Sequence, residues 1–232
     1  NNKHRRIHLH LLTMQVFDSF QQFWNDYSAT QPNTNGFLDW QVVQILHTSN
    51  AEYAKQVADG ADELGFQPLS VILANPLNKQ TKRILIKNVD DKLANDFREY
   101  SKKQYSDQLA SRFVNLKPDT FNAFAEYENW QSFYEAWLER DGKPVFMHNI
   151  PLLFDHIPKI DYWTRKQTGQ EVLPYQRMLI TTYFVSKNQF FDFFIKNVDD
   201  NEAEKIKLIT LSRVALNLDL LFPNTVEEQV NA

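Results

Sequence analysis

Apolar residues along the chain recur with a period of two in some stretches and near 3.6 in others, and the switches between the two periods divide it into short elements. In the first third, Ile7 to Leu12 reads as a strand, Val16 to Tyr27 as a helix, Trp40 to Thr48 as a strand, Asn50 to Leu64 as a helix and Pro68 to Asn75 as a strand. Ser49 and Asn50 supply N-cap chemistry for the second helix and Gly65 its stop. In the middle, Arg83 to Val89 reads as a buried strand and Asp91 to Lys103 as a helix that gathers Leu93, Phe97 and Tyr100 on one face. Strands at Ser111 to Leu116 and Thr120 to Tyr127, a helix at Trp130 to Leu138 and a strand at Asn149 to His156 follow. The last part predicts a strand over Met178 to Phe184, a helix over Asn188 to Val198, and strands over Lys205 to Thr210 and Val214 to Phe222.

The middle order is βαββαβ, the ferredoxin-like split βαβ unit. An α/β (α+β) chain of tandem ferredoxin-like domains is therefore expected. Residues 1–76 form a first domain with a missing or very short second strand, 82–157 the most complete one, and 177–232 a third that lacks its last strand. Asn75 to Thr81, rich in turn residues, reads as a linker, and residues 157–176, with Pro158, Gly169 and Pro174, as a connection.

One hexamer repeats identically: Ile86-Lys-Asn-Val-Asp-Asp91 returns as Ile195-Lys-Asn-Val-Asp-Asp200, a spacing of 195 − 86 = 109 residues. The flanks disagree. The first copy follows the strand-like Lys82-Arg83-Ile84-Leu85, whereas the second follows Asn188-Gln-Phe-Phe-Asp-Phe-Phe194, apolar at helical spacing. On that ground the recurrence reads as coincidence.

Composition narrows the chemistry. The absence of cysteine removes disulfides, thiolate zinc sites and a cysteine nucleophile. No apolar run reaches the ~20 residues of a membrane span, and none follows the basic start Asn1-Asn-Lys-His-Arg-Arg6. An intracellular protein, nuclear or cytoplasmic and without a membrane partner, is expected. The net charge of −4 is unfavourable for a general polyanion binder, since phosphate contacts need clustered Lys and Arg. Neither a Gly-rich phosphate loop nor a Gly-x-Ser-x-Gly or His-Glu-x-x-His motif occurs, so no catalysis and no cofactor are expected.

In the middle segment the letters themselves resemble the RNA-recognition-motif family. Ile84-Leu-Ile-Lys-Asn-Val89 resembles the family's hexamer on the first strand, close to its wording in poly(A)-binding proteins, and Thr120-Phe-Asn-Ala-Phe-Ala-Glu-Tyr127 resembles its octamer on the third. The match extends through Glu128 to Ala136, Asp141-Gly142 and Ile150 to Phe154. The resemblance implies single-stranded RNA as partner, bound on the sheet face that presents alternate side chains.

By that carry-over Leu85, Lys87, Thr120, Asn122 and Phe124 point outward, Phe124 stacks a base, Asn122 bonds a base edge, and Lys87 and Arg83 contact phosphate. Lys82 joins Lys79, Arg83, Lys102 and Lys103 in a basic patch around the linker that reads equally as solvated surface charge. The family favours aromatics at the positions of Leu85, Asn122 and Phe124, and only Phe124 keeps one. A stacked base contributes about 1–3 kcal/mol, so RNA binding by this set would be weak. The alternative is that degenerate domains of this kind act as a protein-interaction module in an RNA-processing or export complex, through aromatic helix faces. Trp130, Phe133, Tyr134 and Trp137 would form one, and Phe190, Phe191, Phe193 and Phe194 another. His8 and His10 share a strand face, without an evident third metal ligand.

Overall fold

The computed structural model describes residues 14–30, 38–108, 110–114, 125–140, 143–144, 149–170 and 175–222. The expected strand Ile7 to Leu12 and its His8 and His10 lie outside them, as do Thr120, Asn122 and Phe124. The chain divides into two compact units, one formed mainly by residues up to 105 and the other by residues 106–218.

The first unit runs β1 (Gln15–Phe17), α1 (Phe20–Ser28), β2 (Gln41–His47), α2 (Asn50–Ala58), β3 (Pro68–Asn75), β4 (Gln80–Lys87) and α3 (Asp91–Asp107). Its sheet has the order β1-β4-β3-β2, with β1 parallel to β4 and the other pairs antiparallel. Ser19 and Ser49 start α1 and α2, each accepting a hydrogen bond from the backbone N–H three residues on. Ile84 and Ile86 of β4, with Leu69 and Val71 opposite them, are buried. Rings of Phe17, Phe20, Phe23, Tyr27 and Phe97 form an aromatic cluster that joins α1 to α3.

The second unit contains β5 (Phe113–Val114), β6 (Ala125–Tyr127) and α4 (Trp130–Phe133), which continues as a π-helical stretch over Tyr134–Leu138. A short ribbon of β7 (Glu139–Arg140) and β8 (Lys143–Pro144) follows, then β9 (Asn149–His156), α5 (Lys159–Gln167), β10 (Arg177–Phe184), β11 (Gln189–Lys196) and α6 (Asp200–Leu221). Its main sheet has the order β5-β9-β10-β11-β6. Phe133, Phe154, Met178, Ile180, Phe193, Ile195, Val198, Ala203 and Ile206 make its core.

These two units are one fold twice, and the repeated hexamer is its clearest trace. Both copies end a hairpin strand and open a helix, with Asn88 (φ 56°) and Asn197 (φ 53°) turning the chain in the left-handed region. From β2 onward, adding 109 to a residue of the first unit finds its counterpart. Lys79 (φ 58°) and Asn188 (φ 51°) close the two hairpin turns, and Gly60 (φ 67°) and Gly169 (φ 74°) follow the paired helices α2 and α5. Val43 and Leu152 are the extra residues of matching β-bulges. His47 Nε2 lies 2.7 Å from the Val89 carbonyl, and His156 Nε2 lies 3.1 Å from that of Val198. Gln67 and Gln176 donate to the carbonyls of Thr48 (2.9 Å) and Ile157 (3.1 Å). At the first corner the shift is 127 − 17 = 110, matching Phe17-Asp-Ser-Phe-Gln-Gln-Phe-Trp24 with Tyr127-Glu-Asn-Trp-Gln-Ser-Phe-Tyr134. We conclude that the chain is an internal duplication, and that reading the hexamer as coincidence was an error.

Several expectations fall with it. Asn188 to Val198 is no helix but strand β11, because both its faces are covered. Phe193 and Ile195 enter the core, while Phe190 and Phe194 meet the rings of Tyr183 (5.1 Å) and Tyr175 (6.4 Å) on the other side. A strand buried on both faces loses its alternation and mimics helical spacing. The two strands expected over residues 205–222 are the single helix α6, with Ala203, Ile206 and Thr210 buried at helical intervals. The supposed connection 157–176 holds helix α5.

The expected domain limits move for the same reason. Asn75 to Thr81 contains the turn of the β3–β4 hairpin, where Asn75 Oδ1 accepts from the N–H groups of Leu77 (2.9 Å) and Asn78 (3.3 Å). A break at 76/82 would cut that hairpin. The βαββαβ order expected for 82–157 is not formed, since β4 pairs with β1 and β3 whereas β9 pairs with β5 and β10 in another sheet. What stands is a mixed α/β chain with two sheets of one plan.

Candidate functional site

Among the described residues, those expected to meet RNA (Lys82, Arg83, Leu85 and Lys87) lie on β4, the strand between β1 and β3. Successive side chains point to opposite faces of a strand, so Arg83, Leu85 and Lys87 share one face and Lys82 lies on the other. Lys82 places its ammonium 4.2 Å from the centre of the Trp40 ring. Leu85 is only 6% exposed, too little to offer a platform for a base. Arg83 is half-buried and stands opposite Ile72 of β3.

Lys87 is engaged within its own unit. Its Nζ lies 2.6 Å from Asp18 Oδ1 and 5.5 Å from the centre of the Phe66 ring. The duplicate repeats the arrangement: Lys196 Nζ lies 2.9 Å from Glu128 Oε1 and 5.8 Å from the Tyr175 ring centre. Hydrogen bonding to Glu128 holds the Lys196 ammonium above the usual lysine range, against a smaller opposing effect of desolvation. A lysine clamped between a carboxylate and an aromatic ring, at matched positions of both units, ties the β1–α1 corner to the hairpin. On β4 the structure thus brings Arg83, Leu85 and Lys87 together on one face, with Leu85 buried, and sets Lys82 on the other.

The aromatic faces expected to bind protein are also largely structural. Phe133 is buried, and Trp130, Tyr134 and Phe191 pack against the second unit's core. Beside that core lies a buried polar set found only in the second unit. Arg177 Nη1 lies 2.5 Å from Asp155 Oδ2, and Thr181 Oγ1 donates to Asp192 Oδ1 at 2.7 Å. The matching residues of the first unit are Pro68, Leu46, Ile72 and Arg83. Among the described residues no group of three or more His, Asp or Glu could hold a metal ion, and no helix is long and apolar enough to cross a membrane.

Sequence reasoning missed the most exposed aromatic residue among the described ones, Trp163. Helix α5 presents Ile160, 73% exposed, and Trp163, 46% exposed, one turn apart on the same face. Lys159 and Lys166 flank them, both exposed, and the Lys166 Nζ lies 5.1 Å from the Trp163 ring centre. The twin helix α2 has Asn50, Ala51, Ala54 and Val57 at these four places. The signal was present as Ile and Trp at i and i+3 between Pro158 and Gly169, but it stood inside a stretch taken for a connection. No protein family, curated protein or solved structure matches the chain.

Proposed function

We propose that the chain is a protein-interaction module, a duplicated scaffold that docks a partner through the outer face of α5. One observation carries this reading: the apolar pair Ile160 and Trp163 stands in water in one copy of the fold, where the other copy has two alanines. Exposing a Trp and an Ile on a helix surface brings no folding stabilisation, since that comes from removing apolar area from water. Trp is also the residue most enriched among interface anchors. The single-stranded RNA reading has less support, because Leu85 is enclosed and Lys87 is engaged by Asp18.

The test sets the two readings against each other on the full chain. A photo-crosslinking residue at position 160 should capture a protein that binds again when purified, and the same residue at Ala51 of the twin helix should not. Short A-, U-, C-rich and mixed RNAs should leave fluorescence anisotropy flat at low and moderate salt. Saturable RNA binding that weakens with salt and is lost on changing Arg83 and Lys87 to Ala would overturn the proposal.

A further inference from the structure

We infer that the partner segment seated on α5 is acidic and amphipathic, with two carboxylates bracketing an apolar pair; this rests on the interaction reading above. The argument is one of charge against background. The chain as a whole carries a net charge of −4, yet α5 carries Lys159, Arg165 and Lys166 against the single carboxylate of Asp161. The twin helix α2 is balanced, with Glu52 and Lys55. Since the two helices hold equivalent places in one fold, architecture does not require the cations of α5. At the places of Lys159, Arg165 and Lys166, α2 has Asn50, Gln56 and the exposed Val57, and its one cation is Lys55.

Geometry gives the partner's spacing. Lys159, Trp163 and Lys166 follow one another at i, i+4 and i+7, so the two cations bracket the Trp on one side of the helix. At a rise of 1.5 Å per residue they are separated by about 10 Å along the axis. A helical partner meets both with carboxylates seven residues apart and fills the space between with apolar side chains at its fourth and fifth positions. Asp161, the one acid on α5, is half-buried, and Asp200 caps the helix by accepting from the Lys159 N–H at 3.0 Å. Both stay at the helix's base and first turn, away from the Lys166 end.

The experiment uses the full chain and two labelled synthetic helices that share a central Leu pair, one with Glu and one with Lys at the flanking positions seven residues apart. The Glu peptide should bind with micromolar affinity that falls with salt, the Lys peptide much more weakly. Trp163→Ala should weaken the Glu peptide by about tenfold or more. Lys159→Glu with Lys166→Glu should reverse the preference while circular dichroism stays unchanged. Equal binding of both peptides, lost in Trp163→Ala, would overturn the acidic partner and leave the interaction reading intact. Binding of neither peptide overturns the inference, and if a protein still crosslinks at position 160 the broader reading survives. Attachment to phosphatidylserine vesicles that depends on Trp163, without peptide binding, overturns both.

Discussion

Truncating Phe23 and Phe133 to alanine should cost the two units nearly the same stability. Both rings are fully enclosed, one in each copy, 110 residues apart (133 − 23). Phe23 meets the rings of Phe17 and Phe20 at 5.7 Å, Tyr27 at 5.6 Å and Phe97 at 5.4 Å. Phe133 meets Tyr127 and Trp130 at 5.4 Å and Phe193 at 5.5 Å. Each ring pair contributes about 0.5–1.5 kcal/mol beyond area, and removal leaves a cavity, so either substitution should cost about 3–5 kcal/mol. That is a large share of the roughly 5–15 kcal/mol that holds a domain folded. Urea melts give the totals, and hydrogen exchange read separately over residues 15–107 and 125–222 shows which unit each change weakens. The losses should agree within about 1 kcal/mol, the scatter expected of such sites. If Phe133→Ala costs little while Phe23→Ala costs the full amount, the positional match is not an equivalence of packing and the duplication argument fails.

Three further outcomes follow from the same geometry. Asn88→Gly and Asn197→Gly should leave the melting temperature unchanged or raise it, whereas a β-branched residue at either left-handed position should destabilise by about 1–2 kcal/mol or more; a harmless valine would contradict the assigned backbone. Arg177→Ala should cost about 3–5 kcal/mol by leaving Asp155 buried without its partner, and Asp155→Leu with Arg177→Met should cost much less in the same denaturation assay. Lys196 should titrate above ordinary lysines by NMR and return to their range in Glu128→Gln. Its folded pKa being raised, the associated stability is complete below the unfolded value and is lost as pH rises through the folded one; a melting temperature that rises there, relative to Glu128→Gln, would refute the assignment.

How much was legible in the sequence depended on what each segment buries. Strands β2, β3, β9 and β10 stood out because continuous runs of Val, Ile and Leu end at turn residues, and α3 because Phe97 and Tyr100 recur on one side. Strand β11 was misread because four phenylalanines within five residues fit a helix face and a doubly buried strand equally well. The domain limits were misread because Pro76 to Lys79 has the composition of a linker, and only pairing across it reveals a hairpin. The letters resembling RNA-recognition motifs are real, but those of the hexamer on β4 serve other ends: Lys87 clamps a corner, Asn88 turns the chain and Val89 is buried. The exposed Ile160 and Trp163 were hidden by the same error that hid α5. Comparing the two copies first would have exposed it, since divergence at equivalent positions marks what the fold itself does not demand.

The duplication also burdens the chain while it folds. Two hairpins of equal length and register compete for the same partners during collapse, and such near-copies in tandem invite misassembly. The strands have diverged in a way that penalises exchange. Asp192 of β11 finds the Thr181 hydroxyl at 2.7 Å across the ladder, but β3 offers Ile72 at the equivalent place. A strand exchanged between the copies would thus bury a carboxylate against a hydrocarbon, at a cost of several kcal/mol. The polar pair, internal to the β10–β11 hairpin, thereby favours β11 beside its own partner strand over β11 beside β3.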